Sequence, residues 1–237
     1  MLIMMIYHYA KEEEREKAFE QGVKLLAISK AEGYQTIVFF DRAARPISWL
    51  LEDICVAYSQ EHLPFVFINF GQKNYRRKYM EGIGDAYSEN GRQFVGIYDS
   101  PENILLYKER LRKDLKTQQQ IKQELGTEGI ERMAEKNLLF VDDAEFEGVT
   151  RMFAEEMLQL LYEPRQIGYF EFGEMLSHVP NGLSERAYER HFVARPARRN
   201  KNVKAAIAGR REISLLVEEF TKEGVMYEDL AYYQLKS

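Results

Sequence analysis

The sequence predicts an α/β protein with a mainly parallel sheet flanked by helices and a helical C-terminal extension. Short runs rich in β-branched and aromatic residues recur over residues 11–172, as expected for strands buried on both faces. Amphipathic helical patterns alternate with these runs, which is typical of a parallel sheet. Residues 173–237 show helical patterns and no obvious strand. We therefore expect an α/β domain over 1–172 and a helical, basic extension over 173–237.

The first elements form a strand–helix–strand unit that follows an amphipathic helix over about 11–32. Thr36 to Asp41 is a continuous apolar run of the buried-strand type. Pro46 suits the first turn of a helix that reaches about residue 61, and Phe65 to Phe70 is the second buried strand. The unit is expected to cross over in the right-handed sense.

The middle of the chain is more polar. Residues 71–92 are interpreted as a long excursion without an element, followed by a third strand over about 93–98. A polar helix begins near Pro101 and ends before Gly126, where a helix would stop. The remaining expected elements are helices near 128–136, 149–162, 184–193, 203–223 and 226–235, and strands near 138–143 and 166–172.

Composition limits the function classes. The chain has 237 residues, 45% of them apolar and 30% charged, so it is long enough for a full hydrophobic core. The net charge of −5 gives no overall signature of polyanion binding. The single cysteine, Cys55, lies in an apolar run and is expected to be buried, which indicates a reducing compartment. No apolar run approaches the roughly 20 residues that span a bilayer, so we expect a cytoplasmic protein without a membrane partner.

The strongest chemical signal is the segment from Val141 to Thr150, which passes from a strand end through a tight turn into a helix. The vicinal acids Asp142 and Asp143 can hydrogen-bond a diol, or hold Mg²⁺ through water. Backbone N–H groups at the turn can form a nest for an anion, and Gly148 permits close approach. One loop would then bind a phosphate group and also accept hydrogen bonds from sugar hydroxyls.

This segment resembles the phosphoribosyl pyrophosphate (PRPP) loop of the type I phosphoribosyltransferases: an apolar strand, two acids, a short turn, Gly, any residue and Thr. The resemblance implies that Asp142 and Asp143 hold the ribose 2′ and 3′ hydroxyls. It also implies that the turn cradles the 5′-phosphate, the matching positions being Glu147, Gly148, Val149 and Thr150.

Two further loops occupy positions that the family uses for the diphosphate. The loop after the first strand, with Arg42, Ala43, Ala44 and Arg45, corresponds to the pyrophosphate loop, and guanidinium groups suit that anion. The basic stretch Arg76, Arg77 and Lys78 resembles in position the mobile hood of the family. For both loops an ordinary solvated surface remains the alternative interpretation.

The loop departs from the family pattern at Glu145 and Glu147, where apolar and hydroxyl residues are usual. A carboxylate about 4 Å from the phosphate would cost on the order of 4 kcal/mol at an effective dielectric of 20. Either Glu147 points outward or the ligand is not an ordinary 5′-phosphate. In purine-using members a carboxylate in this loop assists proton transfer at the base; Phe146 occupies the matching position, so Glu145 or Glu147 would have to take that role.

Positive charge is concentrated in residues 186–211, which hold nine Lys or Arg against one acid, Glu189. This segment can bind nucleic-acid phosphates, or it can neutralise the acidic body of its own or another subunit, which the low aromatic content favours. A homo-oligomer is compatible with the second interpretation.

Two functions follow. The first is a Mg²⁺-dependent phosphoribosyltransferase that binds PRPP or a nucleoside 5′-phosphate and exchanges a base for pyrophosphate, as the resemblance implies, with the metal held mainly by ligand oxygens and water and not directly by the chain. The second is a catalytically inactive nucleotide sensor of the same fold that acts on nucleic acid or a protein partner. The sequence does not identify the base or acceptor.

Overall fold

The structure is a computed structural model that describes residues 12–40, 44–68, 86–89, 92–95, 101–142, 149–173, 176, 196–221 and 225–236. The strands in these segments are β1 (Thr36–Phe40), β2 (Phe65–Ile68), β3 (Ala86–Glu89), β4 (Arg92–Val95), β5 (Asn137–Asp142) and β6 (Gln166–Glu171). The helices are α1 (Glu12–Ala31), α2 (Arg45–Ala57), α3 (Pro101–Lys113), α4 (Leu115–Met133), α5 (Val149–Tyr162), α6 (Pro196–Phe220) and α7 (Tyr227–Lys236).

Four strands form a parallel sheet in the order β2-β1-β5-β6, which confirms the predicted α/β class. β1 pairs with β2 in parallel, with Ile37 opposite Phe65 and Phe40 opposite Ile68. The apolar runs explain the position of these strands, because Ile37, Val38 and Phe39 are fully buried and β5 is buried from Leu138 onward. Strands without an alternating pattern are covered on both faces, as a parallel sheet requires.

Helix α2 connects β1 to β2 and packs its apolar face into the core. Pro46 lies in its first turn, where a missing N–H costs nothing. Leu50, Leu51 and Ile54 are completely buried on the side that faces α1 and the sheet. Gly22 of α1 permits this approach, because a Cβ there would lie 2.7 Å from the Cδ1 atom of Ile54. The core of the sheet therefore depends on close α1–α2 packing.

The interpretation of residues 71–92 as a stretch without an element is wrong for its last part. Residues Ala86–Glu89 form β3, which pairs antiparallel with β4, and Glu89 lies opposite Arg92. The third predicted strand thus belongs to a separate two-stranded sheet and not to the parallel one. The sequence between the two strands, Asn90-Gly91, is a strong signal for a two-residue hairpin connection.

The chain divides into two compact units. The first comprises 1–68, 139–144 and 168–237, and the second comprises 69–138 and 145–167. The predicted boundary at residue 172 stays a prediction. In the first unit α6 packs on α2, and α7 packs on α1. In the same unit, Gly168 of β6 lies against Tyr34, since a Cβ there would be 2.0 Å from the tyrosine hydroxyl oxygen.

The second unit contains α3, α4 and α5. The single polar helix expected up to residue 125 is divided at Asp114, where the Gln118 amide donates to the carbonyl of Leu111 at 3.2 Å. The predicted stop at Gly126 is confirmed as a kink, because this residue adopts a φ of 61° inside α4. Glu156 of α5 is buried and pairs with Arg112 of α3 at 2.7 Å.

Among the described residues, none of the helices combines the length and the apolar character needed to pass through a bilayer.

Candidate functional site

The order of the sheet creates a place where a ligand can bind. The chain passes from β1 to β2 on one side of the sheet and from β5 to β6 on the other, so β1 and β5 lie side by side at its centre. In open α/β sheets the loops that follow two such strands diverge and leave a crevice outside their carboxyl ends. The ends of β1 and β5 define the candidate site.

Asp142 ends β5 at the edge of this crevice. Its residue exposure is only 5%, although it is the last residue of its strand. Its carbonyl oxygen accepts a hydrogen bond from the N–H of Phe172 at 2.9 Å, so the backbone is fixed where β6 ends. The buried run before it explains the position, since Leu139, Phe140 and Val141 hold β5 in the core. A carboxylate is thus held in a defined place by the sheet.

Helix α2 begins at the same edge, after β1. Its N-cap residue is Ala44, with φ of −84°, and among the described residues no side chain caps the helix. Its first turn contains no acid, and the N–H of Ser48 donates to the carbonyl of Ala44 at 3.2 Å. The hydroxyl of Ser48, which is buried, donates to the carbonyl of Arg45 at 2.8 Å. A helix N-terminus of this kind favours an anion through its partial positive charge.

Arg45 is the first residue of α2 and adds a full positive charge. Its guanidinium carbon lies 5.8 Å from the centre of the Phe67 ring on β2. A cation over an aromatic face contributes about 0.5–1 kcal/mol at partly exposed sites. Phe67 itself stacks on the fully buried Phe39 of β1, with ring centres 5.5 Å apart. The β-sheet thus contributes to the position of the arginine through Phe67.

This arrangement has defined chemical capabilities. A carboxylate accepts hydrogen bonds from sugar hydroxyls, while a guanidinium group donates two parallel hydrogen bonds to phosphate oxygens. Asp142 is the last residue of β5, and Arg45 begins the helix that follows the neighbouring strand β1, so both belong to the same edge of the sheet. The first unit alone thus provides one acceptor of hydroxyl groups and one binder of phosphate.

The predicted site residues divide between described and undescribed parts of the chain. The structure places Asp142, Ala44 and Arg45 as given above. Val149 and Thr150 begin α5, in the second unit. The remaining predicted positions lie outside the described residues: Arg42, Ala43, Arg76, Arg77, Lys78, Asp143, Glu145, Glu147 and Gly148.

The described residues contain no group of three or more histidine, cysteine or acidic side chains arranged to hold a metal ion. Asp142 is the single acid that the described part of the predicted loop offers. One carboxylate acting through water, together with phosphate oxygens of a ligand, is a common way for a protein to hold Mg²⁺. The described residues therefore fit a Mg²⁺ ion that is held mainly by the phosphate oxygens of a bound ligand, with Asp142 contacting it through water.

A second cluster was missed by the sequence interpretation and lies at the other end of α2. Arg210 of α6 donates to Asp53 at 2.6 Å and to the carbonyl of Trp49 at 2.8 Å, and it lies 3.3 Å from Glu52. Ser214 donates to the second carboxylate oxygen of Asp53 at 2.8 Å. The sequence indicated that the basic segment can neutralise an acidic body, but nothing in it identified Asp53, 157 residues before Arg210, as the partner.

A groove of about 450 Å³ adjoins this cluster between α2 and α6, and its lining is unsuited to binding phosphate. Two acids, Asp53 and Glu218, line it together with small and apolar side chains. The exposed carboxylate of Glu218 would repel an approaching phosphate, and the carboxylate of Asp53 is already bound by Arg210 and Ser214. The crevice at β1 and β5 is therefore the better candidate for a phosphorylated ligand.

No protein-family model, curated protein or solved structure matches this chain. The chemistry of the site consequently rests on its own residues.

Proposed function

We propose that the chain is a phosphoribosyltransferase-like protein that binds PRPP or a nucleoside 5′-phosphate at the carboxyl ends of β1 and β5. One observation carries the proposal: the sheet order brings the end of β5, with the buried Asp142, next to the strand that leads into Arg45 and α2. A hydroxyl acceptor and a phosphate binder at one sheet edge suit a ligand that carries both a sugar diol and phosphate.

Each group has a role in the proposed transfer of a phosphoribosyl group between pyrophosphate and a base. Asp142 holds a ribose hydroxyl and so fixes the anomeric carbon. Arg45 and the first N–H groups of α2 stabilise the charge that develops on the departing diphosphate. Mg²⁺, when bound with the ligand, supplies further neutralisation of that charge.

Binding of PRPP tests the site. Isothermal titration in the presence of Mg²⁺ compares the unmodified chain with Asp142→Asn and Arg45→Gln. Loss of a charge-assisted hydrogen bond costs about 1.5–3 kcal/mol, so each change should weaken binding at least tenfold. The matched controls are Asp229→Asn and Arg165→Gln, which remove the same charges from exposed positions. Failure of the unmodified chain to bind PRPP contradicts the proposal.

Turnover separates the two forms of the proposal. Release of pyrophosphate across a panel of free bases would support the transferase. Binding without turnover for any base would instead support the nucleotide sensor. The departures from the family pattern at Glu145, Phe146 and Glu147 are the sequence feature that suggests an inactive protein.

A further inference from the structure

Helices α2 and α6 run in the same direction where they pack against each other. Arg210 contacts the carbonyl oxygen of Trp49. About two turns further along α2, Ala57 lines the groove described above together with Thr221, which directly follows α6. The residue numbers thus increase together on both helices, so both C-terminal ends meet at this groove. We call it the α2–α6 groove; its lining comes from within 53–57 and 214–221.

The acidic side chains at the α2–α6 groove outnumber the basic ones. Glu218 lines the groove, is exposed, and has no ion-pair partner among the described residues. Beside it Asp53 and Glu52 share one cation, since Arg210 lies 2.6 Å from the first carboxylate and 3.3 Å from the second. Three carboxylates against one guanidinium group leave a net charge of −2.

The two helix ends add to this negative potential. A helix C-terminus carries a partial negative charge, which a Lys or Arg in the last turn commonly offsets. The last turns of α2 and α6, as the structure describes them, contain no basic residue. Because the helices are parallel, their partial charges lie together and do not cancel. The α2–α6 groove therefore favours a cation.

The rest of the lining is apolar. Val56 is 80% exposed, the largest exposure among the large apolar side chains of the described residues, and Ala57 next to it is also exposed. Val217 lines the groove from the core side. A volume of about 450 Å³ lies in the range of pockets for small ligands. A chain of methylene groups can cover these side chains while charged ends remain at the carboxylates.

We propose that the α2–α6 groove binds an aliphatic diamine, a methylene chain with an ammonium group at each end. Two ammonium groups match the net charge of −2. One pairs with Glu218, the chain contacts Val56, and the other ammonium group approaches Asp53. The carboxylate oxygens of Asp53 accept one bond each, from Arg210 and Ser214, and each retains a further lone pair. The inference does not depend on the proposed nucleotide site.

The test is an NMR titration of the isotope-labelled full-length chain with 1,5-diaminopentane at pH 7, where both amines are charged. Amide signals within 53–57 and 214–221 should shift, with a dissociation constant of about 1 mM or below. Glu218→Gln should weaken binding about fivefold, because one solvent-exposed ion pair is lost. The matched control is Glu131→Gln, which removes the same charge from an exposed position on α4 and should leave the affinity unchanged.

A second pair of variants adds a charge without removing a buried side chain. Val56→Lys places a cation at the groove and should weaken binding at least tenfold, whereas the neutral Val56→Gln should stay within about threefold of the unmodified chain. Both are expected to fold, since Val56 is exposed. The uncharged probe 1,5-pentanediol has the same length and should shift none of these signals at the same concentration.

Four results would overturn the inference. The first is the absence of shifts within 53–57 and 214–221 at about 10 mM diamine. The second is equal affinity of Glu218→Gln and Glu131→Gln, and the third is equal shifts with the diol. The fourth is binding that appears only in Lys222→Gln, because the cation of the groove would then be the lysine four residues after Glu218. PRPP binding is measured separately and is expected to be the same in all of these variants.

Discussion

The two ends of helix α2 differ in what they contact. At the N-terminal end Arg45 lies over Phe67, the first turn has no acid, and the crevice at β1 and β5 is adjacent. At the C-terminal end Asp53 is bound by Arg210, and Cys55 is buried close to α7. One end belongs to the proposed ligand site, and the other holds the helix in place. Changes at the two ends should therefore separate ligand binding from stability.

The largest effect is expected in the middle of α2, where both properties depend on packing. Leu50→Ala removes a completely buried side chain and should lower the free energy of unfolding by about 3 kcal/mol. Urea denaturation measures the change. Val56→Ala on the same helix is the control, because Val56 is 80% exposed and its truncation should change stability by less than about 0.5 kcal/mol. Equal effects at both positions would contradict the observed packing of α2.

At the C-terminal end, stability should depend on alkaline pH through Cys55. Burial, with a smaller contribution from Glu52, raises the pKa of this thiol from 9.0 to about 11. The folded chain favours the neutral thiol. The contribution of Cys55 to the free energy of unfolding is therefore complete below pH 9 and is lost as the pH rises through about 11.

The expected loss from Cys55 is about 2 kcal/mol between pH 9 and pH 11, since one pKa unit corresponds to about 1.4 kcal/mol. Urea denaturation over this pH range compares the unmodified chain with Cys55→Ala. Lysines and tyrosines titrate in both proteins, so the difference between the two curves reports the titration of the thiol. Burial also raises the pKa of Tyr227 beside it, and that contribution remains in the variant. Parallel curves for the two proteins would show that the thiol is not buried.

A smaller effect is expected for the ion pair that connects α2 to α6. Arg210→Met leaves the carboxylate of Asp53 without its guanidinium partner and should cost about 1–2 kcal/mol, since the pair is partly screened by solvent. PRPP affinity should not change. Lys17→Met breaks an exposed pair with Glu13 and should leave the urea midpoint where it was. A loss of PRPP binding in Arg210→Met with unchanged stability would invalidate the distinction between the two ends.

The smallest effect on stability is expected at the N-terminal end. Arg45→Gln removes a cation over an aromatic ring and should change the free energy of unfolding by about 0.5 kcal/mol. The same variant should weaken PRPP binding at the proposed site at least tenfold. Arg45→Lys keeps the charge but not the planar fork, so an intermediate affinity is expected. A strongly destabilised Arg45→Gln chain with unaltered affinity would reverse the comparison.

The sequence predicted the central sheet well because buried strands are visible in it. β1 and β5 are continuous apolar runs, and their ends lie within one residue of the expected positions. β4 overlaps the third predicted strand, but β3 and its antiparallel pairing with β4 were not predicted, because polar residues such as Ser88 and Gln93 interrupt the apolar pattern. Pattern reasoning finds strands through burial and overlooks strands that are mostly polar.

The candidate site was predicted only in part, for physical reasons. That Asp142 follows a strand can be read from the order of residues, and the structure adds its burial. That β5 lies next to β1 cannot be deduced from local patterns, because strand order is decided by long-range pairing. The same holds for Arg210, whose charge is evident but whose partner Asp53 is determined by how α6 packs on α2. Charge shows what a residue can bind, and tertiary packing determines what it does bind.

The close approach of Gly168 to Tyr34 couples two positions that are far apart in the chain. A Cβ at position 168 would lie 2.0 Å from the tyrosine hydroxyl oxygen, so a larger residue there requires the Tyr34 side chain to move or to be replaced by a smaller one. The effects on stability of substitutions at these two positions are therefore expected to be non-additive.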